Sequence, residues 1–339
     1  MMDRMDPDRY FESLYTQTIK SQKLQEVSGE QKEWLKSMLY KSLGHFPEYQ
    51  TTPRQVQVER KELEEYTREK VYLSFSEDIV IPLYILTPKG NQIDAPAVLA
   101  LHGHGYGNKG LVGLLPDGSE DLDAAHNKQH FALKLVKRGI KVFVPEVIGF
   151  GERMLAKDKE QGQENSCYAL STLLLMAGKS LAGLRVAEAI ALLDYMENYH
   201  DVQGNKIGIM GFSGGALVAA YTAALVEKVN ATVLSGFTNT FKGSILAMHH
   251  CIDNYVPGIL KYAELPDLIS LISPRPLFIE SGLNDPIFPI ETAKEALAEI
   301  SRVYDKEGAS ESLSYDFFDG GHEVSGRKAY DWLTRTLEV

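Results

Sequence analysis

Ser213, Asp285 and His322 have the types, and follow one another in the order, that nucleophilic acyl transfer needs. A serine hydroxyl is a weak nucleophile unless a base takes its proton and an acid orients that base. Ser213 lies in Lys206-Ile-Gly-Ile-Met-Gly-Phe-Ser-Gly-Gly-Ala216. This stretch reads as a short buried strand, then Gly211-Phe-Ser-Gly-Gly215, then an apolar helix from Ala216. Gly-x-Ser-x-Gly between a strand and a helix is the nucleophile-elbow pattern. Its glycines allow a sharp turn and a close approach of helix to strand, which exposes the serine Oγ. The helix start adds free N–H groups and a positive dipole end for a developing oxyanion. A glycine-rich turn with an incidental serine is the competing reading of the motif alone.

Asp285 follows Pro276-Leu-Phe-Ile-Glu-Ser-Gly-Leu-Asn-Asp285, just beyond a strand end, in a turn set by Gly282, Pro286 and Pro289. An aspartate before proline is also a good Asx-turn residue, so that reading stays open. Glu280 is a rival acid but belongs to the strand end itself. His322 sits in Phe317-Phe-Asp-Gly-Gly-His-Glu-Val-Ser325, on a Gly-Gly loop after another strand, where a structural histidine is the alternative. An oxyanion hole needs two backbone donors. Gly214 is expected to supply one. His104, in His102-Gly-His-Gly-Tyr-Gly-Asn-Lys-Gly110, supplies the other. Tyr106, Phe212 and Glu152 are expected to line the substrate pocket.

Two other signals fail on context. Gly105-x-Gly107-x-x-Gly110 matches a dinucleotide fingerprint, but Leu111-Val-Gly-Leu-Leu-Pro-Asp-Gly118 cannot open the phosphate-binding helix. His126 and His130 lack the glutamate of a His-Glu-x-x-His zinc motif, and the adjacent His249 and His250 face different ways on a helix. Neither a metal nor a cofactor is expected.

The elements that would position these residues follow from the hydrophobic pattern. Residues 1–70 read as an N-terminal helical arm, with scattered apolar positions (Leu14, Ile19, Leu24, Trp34, Leu35, Met38, Leu39) that pack on the core or on another subunit. From Val71 the period becomes two: Val71–Phe75 and Ile79–Leu86 predict an antiparallel hairpin. Ala97–Leu101, Val142–Val144, the elbow strand, Thr232–Leu234, Leu277–Ile279 and Leu313–Phe318 predict buried strands. They alternate with helices near 124–138, 168–199, 215–227, 291–304 and 325–337. The long helix is capped by Asn165 or Ser166, and its Gly178 and Gly183 suggest close packing on the sheet. This is an α/β arrangement with a mostly parallel central sheet and helices on both faces. Residues 237–273 form a small cap insertion in the catalytic domain, residues 71–339. Functional groups in such sheets gather at the carboxyl ends of strands.

The net charge of -11 and pI of about 5.4 disfavour nucleic acid and anionic membranes as partners. No run approaches the length of a membrane span, and the charged start lacks a secretory h-region. The two cysteines, Cys167 and Cys251, provide no disulfide framework, so a reduced, cytoplasmic chain is expected. A homo-oligomer is compatible with all of this.

On His102-Gly-His-Gly105, Gly211-Phe-Ser-Gly-Gly215, Leu283-Asn-Asp285 and Gly321-His-Glu323, the chain resembles the α/β-hydrolases over about residues 71–339. More narrowly it is similar to their dienelactone hydrolase and acetyl-xylan-esterase-like branch. The resemblance implies Ser213 as nucleophile, Asp285 as acid, His322 as base, and His104 and Gly214 as oxyanion donors. Two features depart from the branch. Dienelactone hydrolases use Cys where this chain has Ser213, and the Arg-Gly-Gln element of cephalosporin-C deacetylases is replaced by Gly149-Phe-Gly-Glu-Arg153. The expectation is a serine esterase for a small-molecule ester with a short acyl group. An amidase or peptidase of the same fold, or an idle binding protein, are the alternatives.

Overall fold

The computed structural model describes residues 7–20, 29–47, 49, 52–90, 95–123 and 130–339. The period-two pattern becomes one nine-stranded sheet. Its strands are β1 (Arg54–Glu62), β2 (Tyr66–Ser74), β3 (Val80–Pro88), β4 (Ala95–Leu101), β5 (Lys141–Pro145), β6 (Val202–Phe212), β7 (Ala231–Ser235), β8 (Leu277–Gly282) and β9 (Leu313–Phe318). The spatial order is β1-β2-β3-β5-β4-β6-β7-β8-β9. The pairs from β1 through β3 to β5 are antiparallel, and those from β5 onward are parallel.

The helices are α1 (Asp8–Lys20), α2 (Gly29–Leu43), α3 (Phe131–Val136), α4 (Ala156–Glu160), α5 (Cys167–Met176), α6 (Leu181–Glu197), α7 (Gly214–Leu225), α8 (Leu265–Ser270), α9 (Ile290–Lys306) and α10 (Ala329–Thr336). Strand alternation divides the core between the two faces of the sheet. Ala97, Leu99 and Leu101 of β4 join α2, α6 and α7 on one face. Val98 and Ala100 join α3 and α10 on the other. Both faces are therefore covered, as parallel pairing requires.

The helical arm expected over residues 1–70 ends early. α2 does dock: Leu35, Leu39 and Leu43 are buried at four-residue spacing. Each such burial contributes about 1.5–3 kcal/mol relative to exposure. Residues 54–62, however, form β1, and β2 begins at Tyr66, so the second half of the arm belongs to the sheet. Every residue of β1 is exposed, so it carries no burial alternation to betray a strand. Its Arg, Lys and Glu side chains protect a sheet edge from further pairing. The predicted helix over 168–199 is broken into α5 and α6 at Gly178, whose φ is +71°. Asn165 accepts from Cys167 N–H (3.0 Å) at the start of α5, and Ser180 caps α6. Gly183 packs closely, but on the arm: a Cβ there would lie 2.1 Å from the Leu43 carbonyl oxygen. Of the predicted helix near 124–138, α3 is seen; residues 124–129, with His126, lie outside the described residues, as does Leu24.

The segment 237–273, expected as a cap insertion, links β7 to β8 through short 3₁₀ turns at Ile252–Asn254 and Ile259–Lys261 followed by α8. Glu264 holds it to the arm, accepting from Tyr15 Oη (2.8 Å) and from Phe241 N–H (2.8 Å). Among the described residues no single helix is long and apolar enough to cross a membrane.

Candidate active site

The carboxyl ends of β4, β6 and β8, together with the loop after β9, bring the three singled-out residues together. Ser213 joins β6 to α7 with φ +53° and ψ -120°, a left-handed conformation rare for a residue with a side chain. Its neighbours permit this because they are glycines. A Cβ on Gly215 would lie 2.2 Å from the Leu101 carbonyl oxygen, and one on Gly211 would lie 2.3 Å from the Gly215 oxygen. His322 Nε2 is 2.9 Å from Ser213 Oγ, and its Nδ1 is 2.8 Å from Asp285 Oδ2.

Asp285 also accepts Ile287 N–H (2.8 Å) and Phe288 N–H (2.9 Å) on Oδ1. The Asx turn and the contact with the imidazole are thus compatible: one oxygen builds the turn and the other meets the ring. The His322 loop is fixed by Leu283 N–H and Asn284 N–H, which donate to Phe318 O and Gly320 O. The imidazole lies between Phe288 (centroids 5.6 Å apart, stacked) and Phe212 (4.8 Å, tilted). Phe212, expected to line the pocket, therefore packs on the histidine.

Glu280 has a separate structural role. Fully buried, it accepts Ser235 Oγ–H (2.8 Å) and Gly326 N–H (3.0 Å), which anchors the segment after His322. Burial pushes its carboxyl up to about 7, against the pull of those bonds. The native chain then holds a proton that the unfolded chain releases near 4.5, so stability falls as pH rises through that window. Glu280→Gln mimics the protonated carboxyl: its amide oxygen can accept Gly326 N–H while its NH2 donates to Ser235 Oγ, and it cannot ionise. Thermal unfolding is expected to show little change near about pH 5 and a higher Tm than wild type above about pH 8.

The loop after β4 lies against the elbow. A Cβ on Gly103 would lie 2.8 Å from the Phe212 carbonyl oxygen, and one on Gly214 would lie 3.2 Å from His104 Cε1. Gly214 opens α7, so its N–H has no acceptor within the helix. Two buried residues that the sequence did not single out for the task hold the loop. His102 Nε2 accepts Val147 N–H (3.0 Å), and Glu146 Oε1 accepts Asn108 N–H (2.9 Å). Glu146 is packed under Gly107 and Gly151, where a Cβ would come within 2.2 Å of its oxygens. The residues after Gly107 form a 3₁₀ turn, Asn108–Val112, rather than a phosphate-binding helix.

Tyr106 lies over Gly110 and is partly exposed. Glu152, expected to line the pocket, has its carboxylate held by Lys70 and by Tyr72 Oη (2.9 Å) on β2. Arg153 pairs with Glu188 (2.6 Å) and donates to the Glu146 carbonyl oxygen (3.2 Å). His130 is bonded to Asp121 (3.1 Å), and His250 to Ser244 (3.1 Å).

A polar cluster adjoins the loop. His104 Nε2 lies 3.1 Å from Asp253 Oδ2, which also accepts from Arg185 Nη1 (2.5 Å) and Cys167 Sγ (3.4 Å). Burial lowers the His104 pKa, but its bonds to Asp253 and Cys167 outweigh this and raise it to about 9. The Asp253 carboxyl is held well below its usual range: burial opposes this, and the Arg185 and His104 charges overcome it.

A family model described as the Abhydrolase family matches residues 1–311. The chain belongs to this family. YtaP of Bacillus subtilis (strain 168), provisionally named a hydrolase, is 28% identical over 293 residues, covering 85% of this chain and 92% of YtaP. Among solved structures, an acetyl xylan esterase provisionally so named from Bacteroides fragilis NCTC 9343 superposes with a TM-score of 0.76 at 18% identity, covering 90% of this chain and 86% of that one. A glucuronoyl esterase from Solibacter usitatus gives 0.65 at 16% identity, covering 90% of each chain. The expected α/β-hydrolase fold is thus found, and these likenesses at low identity concern the fold.

Proposed function

We propose that this Abhydrolase-family protein is a serine hydrolase that cleaves carboxylic esters with a short acyl group. The observation that carries the reading is the unbroken chain of contacts Ser213 Oγ–His322 Nε2–Asp285 Oδ2, with Ser213 in a strained turn at a helix start. Ser213 Oγ attacks the ester carbonyl as His322 Nε2 takes its proton, and Asp285 holds the imidazole in the tautomer that can accept it. The N–H groups of Gly214 and His104 receive the tetrahedral oxyanion. Its collapse expels the alcohol, protonated by His322. Water, deprotonated by the same nitrogen, then releases the acid.

The His104 ring lies over Gly214 and the Phe212 ring beside His322, and this bulk next to Ser213 supports a small acyl group such as acetyl. The esterase names of the structural neighbours agree with an ester rather than an amide bond. The two free thiols suit a reducing, cytoplasmic setting.

A fluorophosphonate probe should label Ser213 in the wild type and leave Ser213→Ala unlabelled, with the adduct located by peptide mass spectrometry. Labelling elsewhere, or none on folded protein, would remove Ser213 as the nucleophile.

A further inference from the structure

The chain contains two cysteines, and the fold brings both to one place. Cys167 is the first residue of α5, while Cys251 and Asp253 belong to the insertion between β7 and β8, and His104 to the loop after β4. Separate stretches of chain thus converge, and one ligand atom from each of these four residues lies within 4.8 Å of all the others. We infer that His104, Cys167, Cys251 and Asp253 form a binding site for a divalent transition-metal ion of the zinc type.

The donor set is two thiolates, an imidazole nitrogen and a carboxylate oxygen, which a borderline-soft tetrahedral cation takes in preference to magnesium or calcium. Bond lengths of about 2.0–2.3 Å to a shared tetrahedral centre put neighbouring donors roughly 3.3–3.8 Å apart. His104 Nε2–Asp253 Oδ2 at 3.1 Å and Cys167 Sγ–Asp253 Oδ2 at 3.4 Å are close to that spacing. A disulfide between the cysteines would use neither the histidine nor the aspartate.

Surrounding groups fit the loaded site. Two thiolates and a carboxylate carry three negative charges, which a divalent ion and the Arg185 guanidinium together offset. Arg185 donates to Cys167 Sγ (3.2 Å) and is itself fixed by Ile148 O (2.9 Å), an outer-sphere arrangement that orients a thiolate. Asn254 Nδ2 holds the other oxygen of Asp253 (2.9 Å), leaving Oδ2 directed at the cluster. Cys167 and Asp253 are buried, while His104 and Cys251 remain accessible, which gives the ion an entry path. On binding, each ligating thiol gives its proton to solvent and no electron is transferred.

The test uses the full chain, reduced and stripped of metal with a chelator, then titrated with cobalt(II) as a spectroscopic stand-in for zinc. The expected result is uptake of one equivalent with tetrahedral visible bands and a thiolate-to-cobalt charge-transfer band, both abolished by zinc. Cys251→Ser removes one half-exposed ligand atom and should weaken binding at least ~100-fold. In the wild type, zinc should also slow maleimide alkylation of Cys251, and chelator should restore it, a readout that needs no variant. Absence of the charge-transfer band, equal affinity in Cys251→Ser, or alkylation indifferent to zinc would each overturn the site. So would a Cys167–Cys251 disulfide whose reduced form takes up no cobalt.

Discussion

Ser213→Ala is expected to lose about 10⁵–10⁶-fold in kcat on a short-acyl aryl ester, measured by initial rates at saturating substrate. The size follows from the three residues acting as one unit. Without Oγ the imidazole has nothing to deprotonate, and without the imidazole the hydroxyl stays protonated, so His322→Ala should fall to a similar level. The double replacement should lose little more than either single one. Asp285→Asn should cost about 10⁴-fold, because an amide facing Nδ1 favours the tautomer that presents a proton, not a lone pair, to Ser213. A residual rate above the uncatalysed reaction should survive in each, supplied by the Gly214 and His104 donors. If Glu280→Gln were the more damaging carboxyl replacement, the acid would have to be reassigned.

The second large effect concerns folding. Gly215→Ala places a methyl group 2.2 Å from the Leu101 oxygen and 2.6 Å from the His102 oxygen, both backbone atoms of a strand end at the centre of the sheet. Relief needs roughly an ångström of separation between α7 and β4, which also opens the elbow. Overpacking in a tight core costs about 1–3 kcal/mol when side chains can yield, and here the obstacles are main-chain carbonyls. A loss of more than ~3 kcal/mol, out of a typical 5–15, is therefore expected in denaturant titration, together with loss of fluorophosphonate labelling. Gly29→Ala is the control: it opens α2 with nothing within 4 Å of a Cβ, so stability should stay within ~0.5 kcal/mol of wild type.

These expectations rest on the part of the molecule most legible in the sequence. The elbow could be read because its glycines answer a local steric demand and its strand and helix are contiguous. Asp285 and His322 could be read because each follows a strand end and the topology orders them. What escaped the sequence was set by distant partners. The bonds of Glu152 to Lys70 and Tyr72, some eighty positions earlier, have no local signal in the sequence. β1 escaped because both its faces meet solvent, so its Glu- and Lys-rich stretch read as an exposed helix. Cys167 and Cys251 are separated by α6, β6, α7 and β7, and no spacing rule links them. The contact of the Phe212 ring with His322 is not legible either, because adjacency to Ser213 says nothing of which way the ring turns.

The placement of His322 between Phe212 and Phe288 bears on the tempo of the reaction. A histidine on a Gly-Gly loop would otherwise sample several χ1 and χ2 wells, and each turnover would have to begin by finding the productive one. Contacts with two aromatic rings and the Asp285 bond restrict that freedom, and in the proposed reaction the same nitrogen would receive the serine proton and deliver it to the departing alcohol. The loss of rotational freedom is therefore incurred once, when the chain folds, and is not repeated in each catalytic cycle.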